Sequence, residues 1–485
     1  MKKHPYYLTL GTLMLILAGC NMYDNSLNGN FVYIDDSFIN TEKYKDYGEN
    51  PFKKTSEEPV STFSVDADGG SYTNMRRFVS KGQKPPVASV RVEEYINFFT
   101  YDYPEPVNNE NVSLNSEISV CPWNTDHHLI RIGMKGKTIP LEQLPNSNYV
   151  FLIDVSGSMA TYDKLDVLKS GFKTLVDNLR PNDRIAIVTY AGAAEVLLQS
   201  TPATEKTKIK NAIGKLGAGG STAGAAGINT AYEIAQENFI TGGNNRIILG
   251  TDGDFNVGVA STDSLIKIIE TKRETGIYLT VLGVGTGNLN DEMMEQIANK
   301  GNGNYEYIDN AKQIKKVFTN ELTKFYTLAK DAKIQIEFNP ANVESYRLIG
   351  YENRKMENEE FSNDSTDAGE IGASQTITAL YEVVIKPESS QMLFGTFNFR
   401  YKKPGETQSR LLTHSINTVP KSISESSENM RFAASVAGFG LLMKESAYKG
   451  TLNKKMVLDL GKSAMSFDPF EYRDEFIDLV NDWDE

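Results

Sequence analysis

The 485 residues, 40% of them hydrophobic, exceed what one small core needs and amount to two or three domains at about 100–200 residues each. Lys and Arg total 50 against 63 Asp and Glu, a formal charge of −13, so the long-range field repels phosphate backbones and nucleic acid is a poor partner. Charged residues at 23% and aromatics at 10% exclude a disordered or collagen-like chain.

Lys2 and Lys3 precede an apolar run over residues 6–17, too short for a spanning helix of about 20 residues, which ends in Leu17-Ala18-Gly19-Cys20. This ending resembles the lipobox of bacterial lipoproteins. The resemblance implies a signal peptide at 1–19 that is removed, with Cys20 becoming the lipidated N-terminus of an exported, anchored protein. Cys121 is then left without an intramolecular partner and reads as a small buried apolar residue. Residues 20–58 are rich in Asn, Asp, Ser, Tyr and Lys, show no sustained period, and read as a flexible tether with a reach on the order of 120 Å if fully extended.

Residues 59–110 read as a helical module. The spacing predicts helices over 72–79 and 90–99, with Ser71 or Asp68 capping the first. Asp66 and Asp68 lack the further oxygen ligands of a calcium loop, so they read as structural. Over 111–140 the period changes to two, through Leu114, Ser116, Ile118 and Val120 and then Leu129, Arg131 and Gly133, which predicts two antiparallel strands with His127 and His128 solvated in the turn.

Residues 145–329 alternate short apolar strands with amphipathic helices. Strands are expected at 149–153, 184–190, 246–249, 277–284 and 303–308. The first helix carries Leu165, Leu168, Phe172, Leu175, Val176 and Leu179; others are expected at 205–216, 223–238, 262–274, 291–299 and 311–329. Such alternation builds a parallel sheet covered on both faces, with ligands outside the carboxyl ends of its strands. Oxygen-rich elements stand at those ends: Asp154-Val155-Ser156-Gly157-Ser158, the turn Gly217-Ala218-Gly219-Gly220-Ser221-Thr222, and Thr251-Asp252-Gly253-Asp254. Carboxylates and hydroxyls without His or Cys are the ligand set of a hard cation such as Mg²⁺. Gly283-Val284-Gly285-Thr286-Gly287 lacks the companions of a nucleotide-binding loop, and the chain has neither a Gly-x-Ser-x-Gly elbow nor a Gly-x-x-x-x-Gly-Lys-Ser/Thr phosphate loop.

Residues 330–420 return to period two, with strands expected at 334–338, 376–385, 393–401 and 411–416 and a polar, mobile insertion at 355–372. Strands before and after 145–329 predict one sandwich interrupted by the α/β domain, with 112–136 pairing with 331–418. Residues 421–485 turn helical near 429–445, 452–465 and 469–483. The acidic stretch 468–485, interleaved with Phe470, Phe476 and Trp483, reads as an amphipathic helix, the alternative being a carboxylate that enters a neighbour's metal site. The fold class is α/β: a doubly wound, mostly parallel, Rossmann-like sheet inserted into a β-sandwich-like domain, with N- and C-terminal helical segments.

Asp154-x-Ser156-x-Ser158, Thr222 and Asp252-Gly253 resemble the metal-ion-dependent adhesion site of the von Willebrand factor A domain family. The resemblance implies hydroxyl ligands from Ser156, Ser158 and Thr222, and mainly water-bridged carboxylates from Asp154 and Asp252. Arg91-Val92-Glu93-Glu94, Tyr101-Asp102-Tyr103-Pro104 and Thr378-Ala379-Leu380-Tyr381-Glu382 extend the likeness to bacterial A-domain lipoproteins with an N-terminal associated module and an uncharacterised C-terminal module. It implies Mg²⁺, Mn²⁺ or Ca²⁺, completed by an Asp or Glu of a partner protein, in an adhesive or scaffolding and non-enzymatic role at the cell envelope, periplasmic or surface-facing. The alternative is a metal-dependent hydrolase of phosphate or peptide substrates, for which the sequence places no general base beside the ion.

Overall fold

The computed structural model describes residues 41–65, 68–220, 224–253, 262–387 and 393–484. The leader with Cys20, and Asp66, Thr222 and Asp254, lie outside the described residues. Among the described residues the strands form three sheets. Two of them are antiparallel and face each other. One runs Lys53–Lys54, Val343–Ile349, Thr376–Ile385, His128–Gly136, Val112–Val120; the other centres on Thr327–Phe338, flanked by Val60–Ser64, Gly369–Gly372, Gly395–Lys402 and Arg410–Ile416. Ile118, Ile132, Ile336, Tyr381 and Phe397 meet between them as a dry core. The strand His128–Gly136 is buried on both faces. Ile130, Ile132 and Met134 enter the sandwich core, whereas Leu129 enters a helical core on the other side. That second core joins the helices Gly70–Val79 and Val92–Asn97 to Glu428–Met443, Lys454–Lys462 and Tyr472–Asp482 through Tyr72, Phe99, Phe432, Phe439 and Phe476. Cys121 is a free thiol buried there, and burial pushes its pKa up.

Between Gly136 and Thr327 the chain builds a six-stranded sheet from β1 (Ser147–Asp154), β2 (Arg184–Ala191), β3 (Ala193–Pro202), β4 (Asn244–Thr251), β5 (Ile277–Val284) and β6 (Tyr305–Ile308), in the order β6-β5-β4-β1-β2-β3. All neighbours are parallel except β2 and β3. The fold is thus the α/β class expected, with a mostly parallel sheet. β1 is wholly buried because helices cover both faces; on one of them Phe151 stacks on Phe172 with ring centroids 4.2 Å apart. The edge strand β6 is shielded by the helix Gly70–Val79 and by Asp68 Oδ1, which accepts the Tyr305 N–H at 2.8 Å.

Several expectations are corrected. From Thr41 onward the expected tether is docked. Lys53–Lys54 pairs with Val343–Ile349, the Asn50 amide donates to the Leu348 and Gly350 carbonyls at 3.1 and 2.7 Å, and the buried Thr55 hydroxyl donates to Val343 O at 2.6 Å. Short polar side chains satisfying a sheet edge leave no apolar period to read. Neither Ser71 nor Asp68 caps the helix Gly70–Val79; Glu94 accepts the Ser71 N–H at 2.7 Å. His127 is not a free turn residue: its Nδ1 lies 2.6 Å from Glu382, itself paired with buried Arg347. The helix expected over 311–329 ends early, in a π turn over Lys316–Asn320 and a 3₁₀ turn over Leu322–Phe325, and Thr327 already starts a strand. The sequence expectation omits β3, Val60–Ser64 and Val343–Ile349. The insertion at 355–372 is structured, with Phe361 and Ile371 buried and Gly369–Gly372 paired to Thr327–Phe338. Among the described residues no helix is long and apolar enough to cross a membrane.

Removing the Phe172 ring opens a cavity under β1, so Phe172→Ala should cost about 3–5 kcal/mol in denaturant unfolding. Glu352 lies between Glu93 and Lys444, and burial, with the Glu93 charge second, pushes its carboxyl up to about 7. The native state therefore holds a proton that the unfolded state has lost between the ordinary glutamate range and pH 7, and stability falls as pH rises through that window. Glu352→Gln should be about 1–2 kcal/mol more stable than the parent at pH 8, with the difference closing toward pH 5 in parallel melts.

Candidate metal centre

The chain leaves β1 toward β2 and β3 on one side, then returns to β4, β5 and β6 on the other. The sheet order thus reverses between β1 and β4, and in such folds the crevice outside the strand ends at that point receives ligands. Ile153 pairs with Gly250, so Asp154 and Thr251-Asp252 emerge side by side. Both carboxylates are fully buried. Asp154 Oδ1 accepts the Ser156 N–H at 2.9 Å, and Oδ2 accepts the Tyr190 and Thr251 hydroxyls, each at 3.2 Å. Burial pushes the Asp154 carboxyl up to about 6; the hydrogen bonds from Ser156 oppose the rise and the Asp252 charge adds to it.

After Asp154 the chain makes a 3₁₀ turn, Gly157–Ala160, before the helix Leu165–Asn178, and no side chain caps either one. The Ser156 and Ser158 hydroxyls are therefore not spent on helix ends and lie 3.1 Å apart. The glycine-rich turn is stapled to this loop, for the Gly219 N–H donates to Val155 O at 2.7 Å and the Gly157 N–H to Gly220 O at 3.1 Å. Ser156, Ser158, Asp154 and Asp252 thus stand at one sheet edge. Thr222, two residues beyond Gly220, and Asp254 fall outside the described residues. At the end of β4, Gly253 has φ +88° and packs so closely that a Cβ would lie 2.5 Å from the Asn290 nitrogen, which fixes where Asp252 points.

Sequence reasoning misses two side chains here. Lys164, buried just before the helix Leu165–Asn178, places Nζ 2.9 Å from Asp252 Oδ2, and Asn288 Nδ2 donates to the same oxygen at 3.0 Å. The Asn288 carbonyl in turn accepts from Lys164 at 2.9 Å. Lys164 passes so near Gly285 (φ +78°) that a Cβ there would sit 2.3 Å from its Cγ. The run Gly283–Gly287, which reads as an incomplete nucleotide loop, thus makes room for a lysine. No spacing rule links residues 164, 252 and 288, so only the fold reveals the triad. Histidine chemistry is elsewhere: His127 pairs with Glu382 and His414 with Ser116, both in the sandwich. The side chains at the strand ends offer oxygens, and among the described residues no group of three or more His, Cys, Asp and Glu could hold a metal.

Comparison with known proteins follows the same division of the chain. The model of the von Willebrand factor type A domain matches residues 148–320, one described as von Willebrand factor matches 38–131, and that of the C-terminal region of the uncharacterized protein YfbK matches 323–485. Uncharacterized protein YfbK of Escherichia coli (strain K12) is 40% identical over 471 residues, covering 91% of this chain and 80% of that protein. A UPF0353 protein of Mycolicibacterium gilvum (strain PYR-GCK) is 29% identical over 231 residues, covering 42% of this chain and 68% of its own length. Among solved structures, a von Willebrand factor type A protein from Catenulispora acidiphila aligns over 78% of this chain and 91% of its own, at 15% identity and a TM-score of 0.46. Domains of this type generally mediate protein–protein interactions and commonly hold a divalent cation. The chain belongs to the family of the Escherichia coli protein YfbK, bacterial proteins that join a von Willebrand factor type A domain to a C-terminal module of their own.

Proposed function

We propose that the protein binds a partner protein through a divalent ion held at the carboxyl ends of β1 and β4, and that an Asp or Glu of the partner completes the ion's coordination. Ser156, Ser158 and Thr222 supply hydroxyl oxygens, and Asp154 and Asp252 supply carboxylates, mainly through water. The observation that supports this reading is the pair of serine hydroxyls, 3.1 Å apart and bonded to each other, beside two buried carboxylates at the point where the sheet order reverses. Hard oxygen donors with few direct charges suit Mg²⁺ or Mn²⁺, with Ca²⁺ the larger alternative, and leave the ion enough positive charge to attract an external acid. Tyr162, on the same loop as Ser158 and 86% exposed, is the kind of rigid aromatic that anchors protein interfaces.

The role is adhesive or scaffolding, in keeping with the protein-binding role general to domains of this type, and the Asp252 carboxylate is engaged by the Lys164 ammonium and the Asn288 amide. With Cys20 carrying a lipid, the protein works at the cell envelope, its chain docked from Thr41 onward.

Calorimetric titration of the chelator-treated protein should show Mg²⁺ or Mn²⁺ uptake at one site. Asp252→Asn or Ser156→Ala should weaken it by about a hundredfold, Ser156→Ala with little change in the melting temperature. Asn suits residue 252 better than Ala because its carbonyl oxygen still accepts a hydrogen bond from the buried Lys164 ammonium, although the counter-charge is lost. Capture of a partner from envelope extracts should disappear with chelator and with the same two substitutions. No uptake by the parent, or uptake indifferent to residue 252, overturns the reading.

A further inference from the structure

Residues 41–45 lie as a strap along the loop that joins β5 to the helix Asp291–Lys300. The Thr41 N–H donates to Gly287 O at 2.8 Å, the Lys43 N–H donates to Leu289 O at 2.9 Å, and Glu42 Oε1 accepts the Gly287 N–H at 2.9 Å. Glu42 is itself gripped by Arg77 of the helix Gly70–Val79, at 2.7 and 3.0 Å, so the strap ties this loop to the helical module. The strapped loop is the one that carries Asn288 and Gly285. Asn288 holds both Asp252 and Lys164, and Gly285 walls in the lysine stem. A continuous set of contacts therefore runs from the strap to the Asp252 carboxylate.

We infer that Lys164 is a built-in competitor of the divalent ion for Asp252, and that the strap keeps it seated, so that lifting the strap tightens the metal site. This rests on the metal reading above. A buried ammonium 2.9 Å from Asp252 Oδ2 neutralises the carboxylate that an ion would use, and repels a dication nearby in a medium of low dielectric constant. Removing its charge relieves the repulsion and leaves Asp252 in need of a cation, and both effects favour metal. The lysine keeps its place because Asn288 offers it a second acceptor and because the loop closes over it at Gly285, where no Cβ fits. Loosening residues 285–290 removes both constraints together.

The test is Mn²⁺ titration calorimetry on the full chain, with hydrogen exchange of residues 285–290 as a readout that needs no metal. Lys164→Gln keeps an N–H for Asp252 but loses the charge and should bind Mn²⁺ about tenfold tighter or more. Asn288→Ala should move the same way by a few-fold, and Lys164→Arg should stay near the parent. Lys43→Pro, which deletes the N–H given to Leu289, and Glu42→Ala should each speed exchange of the loop and tighten Mn²⁺ binding. Neither should add to the gain in a Lys164→Gln background. If the parent binds Mn²⁺ and Lys164→Gln binds it no tighter, the competitor is disproved while the metal reading stands. If Lys164→Gln tightens and the strap variants do not, the strap has no hold on the site. If neither the parent nor Lys164→Gln takes up Mn²⁺, the metal reading falls and this inference with it.

Discussion

Burying two carboxylates at the ends of adjacent strands is the constraint around which the α/β domain is arranged. Asp154 and Asp252 are both withdrawn from water, and a charge so placed is costly unless hydrogen bonds and counter-charge surround it. The fold answers asymmetrically. Asp154 is met by a backbone N–H and two hydroxyls, neutral donors that leave its carboxyl shifted toward the protonated form. Asp252 is met by an ammonium and an amide. One crevice thus holds a carboxylate supported by dipoles and another supported by a full positive charge, with the paired Ser156 and Ser158 hydroxyls beside the first.

The rest of the molecule fixes the position of that crevice. A seam of buried ion pairs holds the α/β domain against the helical module: Arg91 meets Asp291 at 2.5 Å, Arg76 meets Asp309 at 2.6 Å, and Arg354 from the sandwich meets Glu295 at 2.5 Å. Glu475 of the C-terminal helix joins in, 2.8 Å from Arg76 and 3.1 Å from Lys312, so this acid of the tail is engaged within its own chain and is not offered to a neighbour. The two-point grips of Arg76 on Asp309 and of Arg91 on Asp291 set relative orientation as well as contact, because the planar guanidinium meets a carboxylate in few geometries. A partner that docks at the strand ends therefore meets a surface whose three modules do not swivel freely.

What was legible in the sequence was what depends on local period and on motif chemistry. The apolar runs of β1, β4 and β5, the helical stripe from Leu165 to Leu179, and the alternation through Leu114 to Val120 each report a burial pattern set within a few residues. The doubly wound sheet follows from that order. What could not be read depends on distant partners. Val60–Ser64 is a strand because Thr327–Phe338 lies beside it, and residues 41–58 are ordered because loops and edges hundreds of residues away accept their hydrogen bonds. At the site, Asp154, Ser156, Ser158 and Asp252 stand out as oxygen donors at strand ends. Lys164 and Asn288 carry no signature: one is a polar residue at the start of an amphipathic helix, the other an asparagine in a glycine-rich turn, and only packing brings them together.

The sandwich also bears on how the chain comes to be folded at all. Gln335 donates to Thr62 across 273 residues of intervening sequence, and Thr376–Ile385 must find His128–Gly136 after the whole α/β domain has been made. Synthesis runs from the N-terminus, so Val60–Ser64 and the hairpin of Val112–Val120 with His128–Gly136 emerge long before Thr327–Phe338 and Thr376–Ile385, their later mates, while the α/β domain, whose contacts are more local, assembles in between. Closure of the sandwich then waits for the strands made after the α/β domain. Until it happens, the exposed edges of Val60–Ser64 and His128–Gly136 are the stretches most in need of a chaperone, and a nascent chain that stalls there is exposed to misassembly with its own copies.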